Sequence, residues 1–180
     1  YSQLKQGTRF DSLVIATRKQ NLDIFPWPDA YFLSDLAPLN RFLQRAYAKR
    51  SDFYPPFCYK VLTEKNPALL QSHFGNRGYY DLRLKEKLNI PQVTTFYGHD
   101  ASMMPQDSKW RSRYKELFAR CERILAEGNH MKKTLVELGC DEAKVIVQRL
   151  GVDLEKIPFI PRRLEADRKV RILMASTFRD

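Results

Sequence analysis

The sequence predicts an α/β fold: a Rossmann-like parallel sheet with helices on both faces. Two observations predict it. Short apolar runs alternate with helical segments from residue 68 to residue 150. Several of those runs stop at a polar group beside a glycine, as at His73-Phe74-Gly75 and Tyr97-Gly98-His99-Asp100. Alternation of this kind implies parallel strands joined by right-handed crossovers. The polar stops mark the carboxyl edge of the sheet, where open α/β sheets bind ligands.

The elements follow in order. Phe10–Ala16 is a compact apolar run and reads as a strand. Thr17–Asp35 is aromatic and broken by prolines, so it reads as a loop with little regular structure. Pro38–Arg50 reads as a helix with Leu39, Phe42, Leu43 and Ala46 on one face. After Pro55 and Pro56 a second helical stretch runs through Tyr59–Lys65.

A regular rhythm starts at the strand Ala68–His73. The helix Tyr79–Leu88 is ended by Asn89 and Pro91. Gln92–Phe96 has the β-branched and aromatic content that strands prefer. Asp107–Arg120 places Trp110, Tyr114, Leu117 and Phe118 at helical spacing. Arg123–Ala126 is a short strand. Asn129 reads as the cap of a helix with Met131, Leu135 and Leu138 inside and Gly139 as its stop. Val145–Leu150 is the next strand.

Beyond it come Gly151-Val152-Asp153, a stretch punctuated by Pro158 and Pro161, and the charged run Arg162–Lys169. The reading divides the chain into a domain over 1–157, a linker over 158–169 and the start of a second domain over 170–180. The first residue is Tyr1, and the last apolar run opens an element without finishing it. The expectation is a piece of a longer protein, truncated at both ends, with the sheet's first strand missing.

Thirty-one Lys and Arg against twenty-one Asp and Glu leave a formal net charge of +10. That balance favours anionic partners: phosphates, nucleic acid or an acidic membrane surface. Cys58, Cys121 and Cys140 form neither a C-x-x-C pair nor a metal-ligand spacing, so neither a metal site nor a disulfide framework is expected. A reducing cytoplasmic setting follows from that cysteine usage. No run approaches the ~20 apolar residues needed to span a bilayer. Glycine-rich dinucleotide and Walker loops, H-E-x-x-H and G-x-S-x-G are all absent.

The candidate site lies in the loops after the strands. It comprises His73 and Gly75; Tyr97, Gly98, His99 and Asp100; Asn129; and Asp153. The three histidines, His73, His99 and His130, fall on this one edge. Histidines there can hydrogen-bond sugar hydroxyls or phosphates, or relay a proton near neutral pH. Each group also has a plainer use: a local hydrogen bond for a histidine, a tight turn for Gly75 or Gly98, a cap for Asp100 or Asp153.

Three segments carry a resemblance: ALLQSHFGNRG at 68–78, NIPQVTTFYGHD at 89–100, and LFARCERILAEGNHMKKTLVELGCDEAKVIVQRLGVDLEKIPFIPR at 117–162. Their order and content resemble the N-terminal half of a retaining GT-B glycosyltransferase of family 4, of the bacterial exopolysaccharide and colanic-acid type. The resemblance covers the chain from about residue 8 to its end. It implies two Rossmann-like domains, the first handling an acceptor and the second a nucleotide-sugar donor. It also implies transfer with retention at the anomeric carbon, no required metal and no cofactor beyond the donor. The resemblance further implies a saccharide or lipid-linked acceptor in cell-surface polysaccharide synthesis.

On this resemblance Tyr97 stands where the family often has a histidine, which leaves Tyr97 and His99 as alternatives for that role, beside Asp100. His73, Gly75, Gly98, Asn129 and Asp153 are expected at the substrates. Arg179 replaces a Gly-Arg pair that reads Ser176-Thr177 here. The alternative is a basic α/β module that binds nucleic acid or another anion without catalysis. It lacks a helix-turn-helix, an RNA-binding aromatic motif or a zinc module, so no nucleic acid is expected.

Two helices join basic and aromatic residues. One holds Arg41, Arg45, Lys49 and Arg50 with Phe42 and Tyr47; the other holds Lys109, Arg111, Arg113 and Lys115 with Trp110 and Tyr114. Either suits the anionic inner face of a membrane as a peripheral surface.

Overall fold

Parallel pairing sets the architecture, in two sheets. The computed structural model describes residues 10–24, 26–51, 54–151, 155 and 159–161. The chain divides into two units, Tyr1–Leu150 and Gly151–Asp180. The following concerns the first unit; Asp153, Arg179 and the expected strand at 170–180 lie outside the described residues.

In chain order the first unit runs β1 (Val14–Ala16), β2 (Ala30–Phe32), α1 (Pro38–Ser51), α2 (Pro56–Lys65), β3 (Leu70–His73), α3 (Gly75–Leu88) and β4 (Gln92–Phe96). It continues with α4 (His99–Ser102), α5 (Ser108–Arg120), β5 (Arg123–Ala126), α6 (Asn129–Glu137) and β6 (Val145–Val147). Strands β3, β4, β5 and β6 form one sheet in that order, all parallel. Strands β1 and β2 pair in parallel as a second, two-stranded sheet. The predicted fold class is the observed one.

Several expectations need correction. The strand foreseen at Phe10–Ala16 contracts to its last three residues. The segment 17–35 is not an unstructured loop: Ala30–Phe32 forms β2 and Leu33–Asp35 a 3-10 turn. Prolines 26 and 28 hide this short strand from a propensity reading. Helix α3 begins four residues earlier than predicted, at Gly75 rather than Tyr79. Asn129 is the first residue of α6, and Gly128 is its cap.

The core lies between the four-stranded sheet and its helices. Phe96, Tyr114, Leu117, Ile124, Ala126 and Leu135 are wholly buried. The predicted inner face of α5 therefore packs as expected, with Trp110 at its margin. The apolar face of α1 stays open instead: Leu39 is 72% exposed, Phe42 67% and Leu43 57%.

Close approach of α3 to β4 fixes the height of the sheet's edge. A Cβ on Gly78 would sit 2.5 Å from Thr94 Cγ2, and one on Gly75 would overlap the Phe96 ring. Below this contact Gln92, with no exposed surface, shares the two hydrogens of its Nε2 among the Gly78 carbonyl (2.9 Å), Ser72 Oγ (3.1 Å) and Thr94 Oγ1 (3.1 Å). Its backbone amide donates to Glu122 Oε2 at 2.7 Å. One glutamine thus ties β3, α3 and the start of β5 to β4.

Candidate functional site

Because β3, β4 and β5 are parallel and in register, their carboxyl ends reach one edge. His73 pairs with Thr95, and Phe96 with Ala126. The loops that leave this edge carry His73-Phe74, Tyr97-Gly98-His99-Asp100 and Gly128-Asn129.

Two loops are locked together by one carboxylate. Asp100 is 1% exposed. Its Oδ2 accepts from the Gly75 amide at 2.8 Å, and its Oδ1 accepts from the amides of Tyr97 (2.9 Å) and Gly98 (3.0 Å). Amides aimed at one anion are strong, charge-assisted bonds. Gly98 has φ 120°, a conformation open to glycine and strained for other residues. Sequence reasoning placed Asp100 among the catalytic groups; its burial and its three amide bonds give it the geometry of an anchor.

Above the anchor sits an aromatic corner. His73 Nδ1 and Tyr97 Oη share a hydrogen bond of 2.5 Å, with the rings stacked at 17° and 5.8 Å between centroids. The Phe74 ring lies 4.9 Å from Tyr97, tilted by 51°. Loss of water lowers the His73 pKa, which favours the neutral imidazole. Loss of water also raises the Tyr97 pKa, so the phenol keeps its proton at neutral pH. Exposed His73 and Phe74 are therefore brought together with half-buried Tyr97 at the surface of the edge. His99 opens α4 and is exposed, as are Asn129 and His130 at the start of α6.

A second polar group went unread in the sequence. Asp81, 5% exposed, accepts from Ser72 Oγ at 2.6 Å and from the Tyr54 hydroxyl. Arg77 Nε lies 3.6 Å from the same carboxylate, and its guanidinium stacks on the Tyr54 ring at 4.4 Å. Burial raises the Asp81 pKa against the opposing pull of Arg77. The group borders a cavity of about 530 Å³ lined by Ile15, Leu70, His73 and Cys58 among others. Tyr54 and Asp81 are 27 residues apart, so no local pattern announces the pair.

Among the described residues no cluster of three or more His, Cys, Asp or Glu is placed to hold a metal ion, and no helix is long and apolar enough to cross a membrane.

The sequence profile of Glycosyltransferase Family 4 matches residues 15–156, through β1 to β6 and every loop of the edge described above. The chain belongs to glycosyltransferase family 4. Relatives within polysaccharide synthesis agree with that membership. One is WcaL of Escherichia coli K12, named for colanic acid biosynthesis as a glycosyltransferase, 30% identical over 112 residues, or 61% of this chain and 27% of the relative. Another is the amylovoran biosynthesis glycosyltransferase AmsK of Erwinia amylovora, 34% identical over 86 residues, or 47% of this chain and 21% of the relative. The matched stretch thus spans about a quarter of the length of these relatives. The aromatic corner, the Asp100 anchor and the Asp81 group all lie inside the family 4 region.

Proposed function

We propose that this chain is part of a glycosyltransferase that moves a sugar from a nucleotide-sugar donor to a saccharide or lipid-linked acceptor in cell-surface polysaccharide synthesis. The observation that carries the reading is the family 4 match across the whole strand-end edge. In the reaction the anomeric carbon forms a bond to an acceptor oxygen. The bond to the donor's diphosphate breaks, and the acceptor hydroxyl gives its proton to the departing diphosphate.

Within that reading Tyr97 and His73 are the substrate-facing pair, the phenol and the neutral imidazole both able to hydrogen-bond a sugar hydroxyl. His99 is exposed one residue beyond Gly98 and serves beside them. Asp100 is a positioning residue: its carboxylate is held by three amides rather than turned outward. Gly75 and Gly98 let the loops approach it, and Asn129 stands at the neighbouring loop. Asp153 and Arg179 keep the roles the family resemblance implies, as substrate-binding residues.

The test uses the full-length protein with a panel of UDP- and GDP-linked hexoses and lipid-linked acceptors extracted from the host membrane. Release of nucleoside diphosphate that depends on acceptor is the expected result. Full-length protein that turns over no member of the panel would sink the reading. The family match lends no support to the alternative of a nucleic-acid-binding module.

The reading extends to place and partner: a cytoplasmic protein resting on the inner membrane face. Helix α1 supports it, because Leu39, Phe42, Leu43 and Tyr47 are all at least half exposed beside Arg41, Arg45 and Lys49. Helix α5 supports it less, because Tyr114 is buried and Trp110 packs on the core.

A further inference from the structure

Phe74 is the residue whose backbone and side chain disagree. Its φ is 73° and its ψ 139°, a region that glycine enters freely and bulky residues avoid. The cause is local. Gly75 must press against the Phe96 ring and deliver its amide to Asp100, while the Phe74 amide still donates to the Thr95 carbonyl at 2.8 Å. Satisfying both forces the turn at residue 74.

A glycine at position 74 would make the same turn without strain. The chain instead carries a phenylalanine, and the ring is not used to fill the core: it is 51% exposed. The strain is therefore not offset by full burial of the side chain. What the conformation does is stand an aromatic ring on the sheet edge beside Tyr97 and His73. The result is an apolar surface with a polar rim, the rim being the Tyr97 hydroxyl and the His73 imidazole.

We infer that Phe74 is a sugar-stacking residue: its exposed ring, tilted by 51° against Tyr97, offers its face to the C–H side of a pyranose ring. The His73–Tyr97 pair meets that ring's hydroxyls. A pyranose has this complementary character, with apolar C–H groups on a face and hydroxyls around the edge. The inference rests on the glycosyltransferase reading and adds a substrate contact that the sequence analysis did not assign. The ring belongs either to the donor sugar or to the acceptor saccharide, and the test separates them.

Three variants of the full-length protein decide it. Phe74→Tyr keeps a stacking face, Phe74→Leu keeps apolar bulk without one, and Phe74→Gly removes the side chain and the strain together. KM is measured separately for nucleotide sugar and for acceptor. Phe74→Leu is expected to raise one KM about tenfold, the scale of a lost apolar or aromatic contact. Phe74→Tyr is expected to restore it, and the KM that moves names the sugar. Phe74→Gly is expected to raise the melting temperature while weakening the same KM, because relief of strain and loss of contact oppose each other.

Wild-type transfer with both KM values for Phe74→Leu within about twofold of it would overturn the stacking role. Unchanged KM values for Phe74→Gly would overturn it too, because a ring that can be deleted without effect on either substrate makes no substrate contact. A wild-type protein that transfers no sugar fails the reading beneath, and the inference falls with it.

Discussion

His73 and Tyr97, 24 residues apart, meet at the ends of adjacent strands through one hydrogen bond of 2.5 Å and a stacked ring pair. Phenol and imidazole thereby fix each other's direction on the exposed edge. Tyr97→Phe keeps the ring and removes the bond. In the full-length protein it is expected to lower kcat/KM about two- to tenfold, the worth of one neutral hydrogen bond. Steady-state kinetics with donor in excess checks this, and wild-type values would remove Tyr97 from the site.

Asp100 acts on that pair from below. Asp100→Asn leaves one oxygen for three amide donors and turns an NH₂ group toward them. Loss of charged hydrogen bonds of this kind costs about 2–4 kcal/mol in stability. Urea denaturation of the 180-residue chain reads the loss directly. Wild-type stability in Asp100→Asn would show that the amides need no anion.

Gly78 predicts a purely steric penalty. An alanine Cβ would meet Thr94 at 2.5 Å from Cγ2 and 2.6 Å from Oγ1. Displacing α3 from the sheet costs about 1–3 kcal/mol. The companion change Thr94→Ser removes Cγ2 and is expected to restore part of it. Full additivity of the two substitutions would place the clash elsewhere.

Asp81 gives the fold a pH dependence of defined sign. Burial raises its pKa, so the folded state holds this proton more tightly than the unfolded chain. The associated stability is fully present below the ordinary carboxylate pKa near 3.8 and falls as pH rises toward the higher folded value. Asp81→Asn removes the titration and keeps an acceptor for one of Ser72 and Tyr54, which bond different carboxylate oxygens. A flatter stability profile above about pH 4 is expected for the variant. Parallel profiles for the two proteins would exclude Asp81 as the source.

Helix α1 predicts salt-sensitive membrane binding. Phe42→Glu and Arg45→Glu each are expected to reduce sedimentation with vesicles containing anionic lipid, because both the apolar face and the positive charge contribute. Binding that ignores lipid charge and salt would remove the membrane from the proposal.

Much of the frame was legible in the sequence. The spans Gln92–Phe96 and Arg123–Ala126 were read residue for residue, because β-branched and apolar content is concentrated there. So was the shared edge of His73, Tyr97 and His99, which follows from parallel order alone. The β2 strand was not, since three residues between prolines and a 3-10 turn carry no periodicity. The exposure of α1 agrees with its reading as a basic and aromatic surface helix, although amphipathic spacing says which side chains share a face and not whether anything packs against it. The burial of Asp100 and the turn at Phe74 depend on amides brought from another strand, and no local pattern encodes them.

Gln92 has a consequence for assembly. Its side-chain amide finds Ser72, Gly78 and Thr94 only when β3, α3 and β4 are all in place. A partly built sheet would seal the NH₂ group of that amide from water with its partners missing, which is costly. Half-formed intermediates are therefore penalised relative to both the open chain and the finished unit. This one residue presses the folding of the sheet toward a single all-or-none step.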